Sequence, residues 1–167
     1  FLDELKPDVY IMGNHCHRLH EEAVYGRKGT LMNELATTLQ GALDGEYKRR
    51  KIEAIEYSAK VDYWQSPNGG FKFLHGKNHG MLPPRKNAEV YLSQTICGHV
   101  HRATAHNGPA GWSYSSPSLV DPWQCRYDIV RGDGKKAQAM GWMYGYCDTK
   151  TGVGYGYTVE KIGDTWI

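Results

Sequence analysis

The chain has 167 residues, with 20 Lys or Arg against 18 Asp or Glu, a formal charge of +2 and a 40% hydrophobic share. That share is too rich for a disordered chain, the length suits a single domain over 1–167, and the near-balanced charge argues against a dedicated nucleic-acid coat. No run approaches the roughly 18 apolar residues of a membrane span, and four scattered cysteines without a C-x-x-C pair read as reduced thiols of a cytoplasmic protein.

The chain opens without an initiator Met on what reads as the end of a helix, with Leu2 and Leu5 as its apolar positions and Lys6-Pro7-Asp8 as its stop. Val9-Tyr10-Ile11-Met12 is a short apolar run of the kind found in a central strand, and Gly13-Asn14 reads as the turn that ends it. Leu31, Leu35, Leu39 and Leu43 recur every four residues, a helical stripe expected to pack in the core, with Thr30 as its cap. Gly41 or Gly45 is expected to break that helix, and a second one is expected from Glu46 to Val61, where the basic run Lys48-Arg49-Arg50-Lys51 forms a solvated face beside Ile52 and Ile55. Asn68-Gly69-Gly70 turns the chain into the strand Phe71-Lys72-Phe73-Leu74, which ends at His75-Gly76. A helical turn over 88–93 leads to a strand Thr95-Ile96-Cys97 ending at Gly98-His99. Beyond 110 glycines alternate with Tyr, Trp and Val, and the stretch 148–152 reads as a hairpin connection between strands 141–147 and 153–161.

All eight histidines fall into three groups, at 15, 17 and 20, at 75 and 79, and at 99, 101 and 106. Each group follows an expected strand. In an open α/β sheet, ligands bind in the crevice beyond the carboxyl ends of the strands, and imidazoles gathered there suit Mn, Fe or Zn. His17, His20 and His106 are more ordinary as solvated or locally bonded side chains. Cys16 among its histidines lacks the spacing of a closed zinc site.

The ordered elements Gly13-Asn14-His15, His75-Gly76 and Gly98-His99-Val100-His101 resemble the second half of the calcineurin-like metallophosphoesterase signature. Pro117-Ser118-Leu119 and the later Trp142, Gly145 and Tyr146 are similar to the closing strands of phage-type members. The resemblance implies a four-layer α/β/β/α sandwich, two divalent metal ions, and hydrolysis of a phosphomonoester or a phosphodiester such as a nucleotide or nucleic acid. It makes Asn14, His75 and His99 ligands of one ion, His101 a ligand of the other, and His15 the acid that protonates the leaving oxygen. His99 and His101, two apart in an extended segment, are then expected to share a face. Arg18, His79 and Arg102 are candidates for contacting the phosphate. Cys16 stands where an acidic residue commonly follows Asn-His, and the family's earlier D-x-H and G-D-x-x-D elements have no counterpart in the twelve residues before Gly13. That pattern implies an N-terminally incomplete member, inactive or weakly active as an isolated chain. The alternative is a non-catalytic metal-binding or nucleic-acid-associated module of the same fold.

Overall fold

The computed structural model describes residues 2–57, 60–78, 82–120 and 138–167. The chain is of mixed α/β class and divides into two compact units, 1–64 and 65–167, each taken by itself below.

In the first unit a short helix α1 (Leu2–Leu5) precedes strand β1 (Val9–Ile11), helices α2 (Asn14–Tyr25) and α3 (Leu31–Arg50), and strand β2 (Glu53–Ile55). β1 and β2 pair in parallel, Val9 opposite Glu53 and Ile11 opposite Ile55. Met12, Tyr47 and Ile52 form the core, with Tyr10, Cys16, Leu43, Ala54 and Tyr57 packed against it. The expected turn at Gly13-Asn14 is instead the start of α2, capped by Gly13 in extended geometry.

α3 begins as expected at Thr30, whose hydroxyl accepts from the Asn33 amide at 3.3 Å. It runs unbroken through Gly41 and Gly45, because both face open space and exposed glycine weakens a helix without obstructing it. The leucine stripe is not core packing. Leu31, Leu35 and Leu39 are 79%, 50% and 46% exposed, and only Leu43 reaches the core. An i, i+4 row advances about 40° beyond a full turn at each step, so it winds off the buried face within three steps. The buried positions are Asn33, Ala36 and Tyr47, with Leu43 between them. Asn33 uses its place there to donate its side-chain amide to the carbonyls of Glu22 and Ala23, at 2.6 and 3.3 Å, at the end of α2.

The helix expected over 46–61 also fails. α3 stops at Lys51, which takes the left-handed conformation (φ 56°), and the Ile52 amide donates to Tyr47 O at 2.9 Å. Ile52 then enters the core and Ile55 joins β2, as β-branched residues favour. The basic run is held by carboxylates: Arg49 bonds Glu46, and Arg50 bonds both Glu46 and Asp3.

In the five-stranded sheet, of order β3-β4-β5-β7-β6, every strand but β3 lies wholly in the second unit. β3 (Tyr63–Gln65) lies at the unit boundary, followed by β4 (Lys72–Leu74), β5 (Thr95–Cys97), β6 (Thr104–Gly108) and β7 (Gly111–Ser115). β4, β5 and β7 run parallel, and β6 is antiparallel to β7. Helix α4 (Pro83–Tyr91) joins β4 to β5, earlier and longer than the helical turn expected over 88–93, because Pro83 and Pro84 pre-set its first turn. β8 (Gly141–Cys147), β9 (Gly154–Ile162) and β10 (Thr165–Trp166) form an antiparallel meander. Its first hairpin closes as expected, with the Asp148 carboxylate accepting from the Lys150 amide at 2.9 Å and the Thr151 hydroxyl at 2.8 Å. Cys16, Cys97 and Cys147 are free thiols, and Cys125 lies outside the described residues. Among the described residues no helix is long and apolar enough to cross a membrane.

Candidate metal centre

Parallel pairing sets Leu74 opposite Cys97, so β4 and β5 end side by side. The Gly98 amide donates to Leu74 O at 3.3 Å and extends that pairing by one step. The residues just beyond these ends, His75 and His99, consequently meet: His75 Nε2 lies 3.1 Å from His99 Nδ1, with the rings edge to face and their centroids 5.0 Å apart. Two neutral imidazole nitrogens at this distance have two options. They share one proton, or both lone pairs point at one cation, since ligand bonds of about 2.0 to 2.1 Å put adjacent nitrogens about 3 Å apart. The pair therefore fits adjacent positions on a Zn, Mn or Fe ion.

The loops that carry these rings are shaped for close approach. Gly76 has φ +91°, and a Cβ there would stand 3.3 Å from Cys97 Cβ, so glycine is required. Below it Asn87, buried on α4, accepts from the Asn78 side-chain amide and steadies the loop after His75. Sequence reasoning missed Asn87 and Asn78. The available signal was a polar residue beside Ala88 on the packed face of a short helix. Ser116, whose amide donates to Cys97 O at 2.7 Å, brings a third chain segment to the same end of the sheet.

His99 and His101 do not share the face of an extended segment. Both are left-handed (φ 64° and 55°), and the Val100 amide closes onto Gly98 O at 2.8 Å, so the segment turns. The His101 carbonyl accepts from the Ala139 amide at 2.8 Å. Among the described residues no group of three or more His, Cys, Asp or Glu side chains gathers as a metal site, and His75 with His99 stands as a two-nitrogen pair. Burial pushes the Cys97 thiol up to about 11, with the Asn87 amide partly opposing it. That thiol stays protonated at neutral pH and is a poor ligand, although it lies two residues from His99.

Asn14 and His15 belong to the first unit, at the first two positions of α2. The cap is a glycine and makes no side-chain bond to the helix amides there. Arg18 follows His15 by three positions, so both exposed side chains stand on neighbouring parts of one helical face. A helix start whose cap makes no side-chain bond, with an imidazole and a guanidinium beside it, has the kinds of donor that an oxyanion needs. Cys16 turns the other way, its Sγ 3.0 Å from the Tyr10 hydroxyl, and Tyr10 stacks on Tyr47 at 5.2 Å. His17 pairs with Glu21 at 3.4 Å and lies against Tyr57. In the second unit Arg102 offers its carbonyl to the Ser115 hydroxyl, and His106, opposite Ser113 in mid-strand, lines a cleft of about 410 Å³ with Ala88, Glu89 and Leu92. His79 lies outside the described residues. No family model matches the chain, and no curated protein matches it.

Proposed function

We propose that the chain is a metal-dependent phosphoesterase with a binuclear centre, of metallophosphoesterase-like four-layer sandwich fold. The observation that carries this reading is the 3.1 Å approach of His75 Nε2 to His99 Nδ1 at the carboxyl ends of adjacent parallel strands. His75 and His99 would hold one ion, and His101 would serve the second. The ions, when bound, supply Lewis acidity toward the phosphoryl oxygens. His15 would hold the proton that the leaving oxygen requires, while Arg18 and the first amides of α2 orient the phosphate. Arg102 and His79 would border the substrate. Asn14 would ligate through a neutral carbonyl oxygen, which adds no negative charge to repel the ester.

The test is metal binding and turnover by the purified chain. Co(II), Mn(II) and Zn(II) titrations are expected to give a bound ion that both His75→Ala and His99→Ala abolish, and hydrolysis of mono- and diester model substrates is expected to be weak and strictly metal-dependent. His15→Asn is expected to lower that turnover about 10²-fold or more with metal content intact. Metal held through His75 and His99 without turnover would favour the non-catalytic metal-binding or nucleic-acid-associated module. Equal metal content in wild type, His75→Ala and His99→Ala would defeat both.

A further inference from the structure

The two faces of the β8-β9-β10 meander differ in chemistry. On one, Gly154 and Gly156 meet the rings of Phe71 and Tyr114, so that this face lies against the five-stranded sheet. On the other, cross-strand register sets Tyr144 opposite Tyr157 and Tyr146 opposite Tyr155, with Trp142 one step further along and Trp166 opposite Lys161. These six aromatic side chains are each between 39% and 59% exposed. With roughly 200 Å² per aromatic residue, they present on the order of 600 Å² of contiguous aromatic surface. That is the upper end of what a soluble monomer leaves bare, and with Val159 and the Lys161 stem it approaches the roughly 800 Å² that each partner of a stable complex buries.

How the rings stand decides the kind of partner. Tyr144 stacks on Tyr157 at 5.2 Å and 19°, Tyr146 on Tyr155 at 5.1 Å and 27°, and Trp142 lies 4.8 Å from Trp166. The ring faces are thus taken up by one another, and the row offers outward its edges and hydroxyls. A stacking platform for bases needs open ring faces and cations to follow the phosphates, whereas Lys161 is the only charged side chain among these facing positions. Ring edges with hydroxyls, few charges and an antiparallel ribbon match a tyrosine-rich protein interface and the packing of one sheet on another.

We propose that this face is covered by the same face of a second copy of the chain, as a two-fold dimer in which the two meanders pack as a sandwich. An isologous contact covers this surface on both copies, about 1,200 Å² in total at the low end of a standard interface, and meets aromatic edges with aromatic edges. It is independent of the metal centre.

Sedimentation equilibrium of the full chain is expected to show a concentration-dependent monomer–dimer equilibrium. Tyr144→Ser/Tyr157→Ser removes four rings per dimer and is expected to raise the dissociation constant at least about 100-fold. Leu31→Ser/Leu35→Ser, on the exposed side of α3, is expected to leave it unchanged. Should the double tyrosine variant lose its circular dichroism, Tyr146→Ser decides instead, with an expected weakening of about tenfold. A chain that stays monomeric overturns the proposal, as does a dimer insensitive to the tyrosine variants and abolished by the leucine one. A monomer that binds oligo-dT through these tyrosines would give the face to single-stranded nucleic acid and overturn it equally.

Discussion

Gly154 isolates steric fit from backbone preference. Its φ lies outside the left-handed region, so alanine is conformationally allowed, yet a Cβ there would stand 2.1 Å from Phe71 Cε2 and 2.5 Å from Cδ2 and Cζ. Carbon atoms pack at about 3.5 to 4.0 Å, so the ring would have to retreat by more than about 1 Å. Phe71 has little room to do so. It is 2% exposed and wedged against Phe73 and Tyr114, with ring centroids 5.9 and 6.0 Å away. Replacing glycine by alanine gains about 0.4 to 1 kcal/mol through the unfolded chain, while overpacking a filled core costs about 1 to 3 kcal/mol and here sits at the top of that range. Gly154→Ala is therefore expected to destabilise the second unit by about 2 kcal/mol in urea unfolding followed by tryptophan fluorescence. The cause is checked by pairing it with Phe71→Leu, which vacates the space the new methyl would fill. The double variant is expected to be more stable than the sum of the single effects predicts, by about 1 kcal/mol or more. Additivity within about 0.5 kcal/mol would refute the steric account, and so would a single variant as stable as the wild type.

The glycines of α3 make the opposite case. A Cβ at Gly41 meets nothing within 4 Å, so Gly41→Ala is expected to stabilise the helix by about 0.5 to 1 kcal/mol, read as a higher unfolding midpoint by far-ultraviolet circular dichroism. At Glu46, the Arg49 guanidinium first and then that of Arg50 hold the carboxyl at about 2, below its ordinary 4.5. A carboxyl depressed by folding contributes stability that is present above about 4.5 and lost as pH falls toward 2. Glu46→Gln is expected to flatten the pH dependence of stability in that window and nowhere else, and side-chain NMR titration of Glu46 reports its midpoint directly.

Strands that were legible in the residues share one property: a short apolar run halted by glycine or histidine. Val9–Ile11, Lys72–Leu74 and Thr95–Cys97 are of this kind, and the Asp148 turn marks the later hairpin equally well. What was not legible depends on partners that spacing alone does not reveal. α2 holds no fully buried residue, and its histidines, arginine and glutamates drown the weak row Cys16, Leu19, Ala23. The leucine stripe misled because regular recurrence at four is not the period of an α-helix. Asn33, which looks like a surface residue, is buried because the last carbonyls of α2 need donors. The strand at Ile55 was hidden by the helical character of residues 46–50 and emerges only when Lys51 turns left-handed. In the candidate site, the proximity of His75 and His99 follows from two parallel strands ending in register, which βαβ reasoning reaches. The conformation of the second loop does not.

That conformation is strained at the residues that carry the imidazoles. His99, one residue beyond Gly98 at the end of β5, is left-handed, and its Nδ1 lies 3.1 Å from His75 Nε2. A left-handed β-carbon residue carries a cost on the order of 1 kcal/mol, and this loop holds two, His99 and His101, on either side of Val100. Glycine stands at 98, where a Cβ would make only ordinary contacts at 3.7 and 3.8 Å, and not at the left-handed positions it would relieve. Stability alone would place glycine at 99 and 101. Histidine stands at both instead, and one of the two, His99, meets a second imidazole beyond the carboxyl ends of β4 and β5.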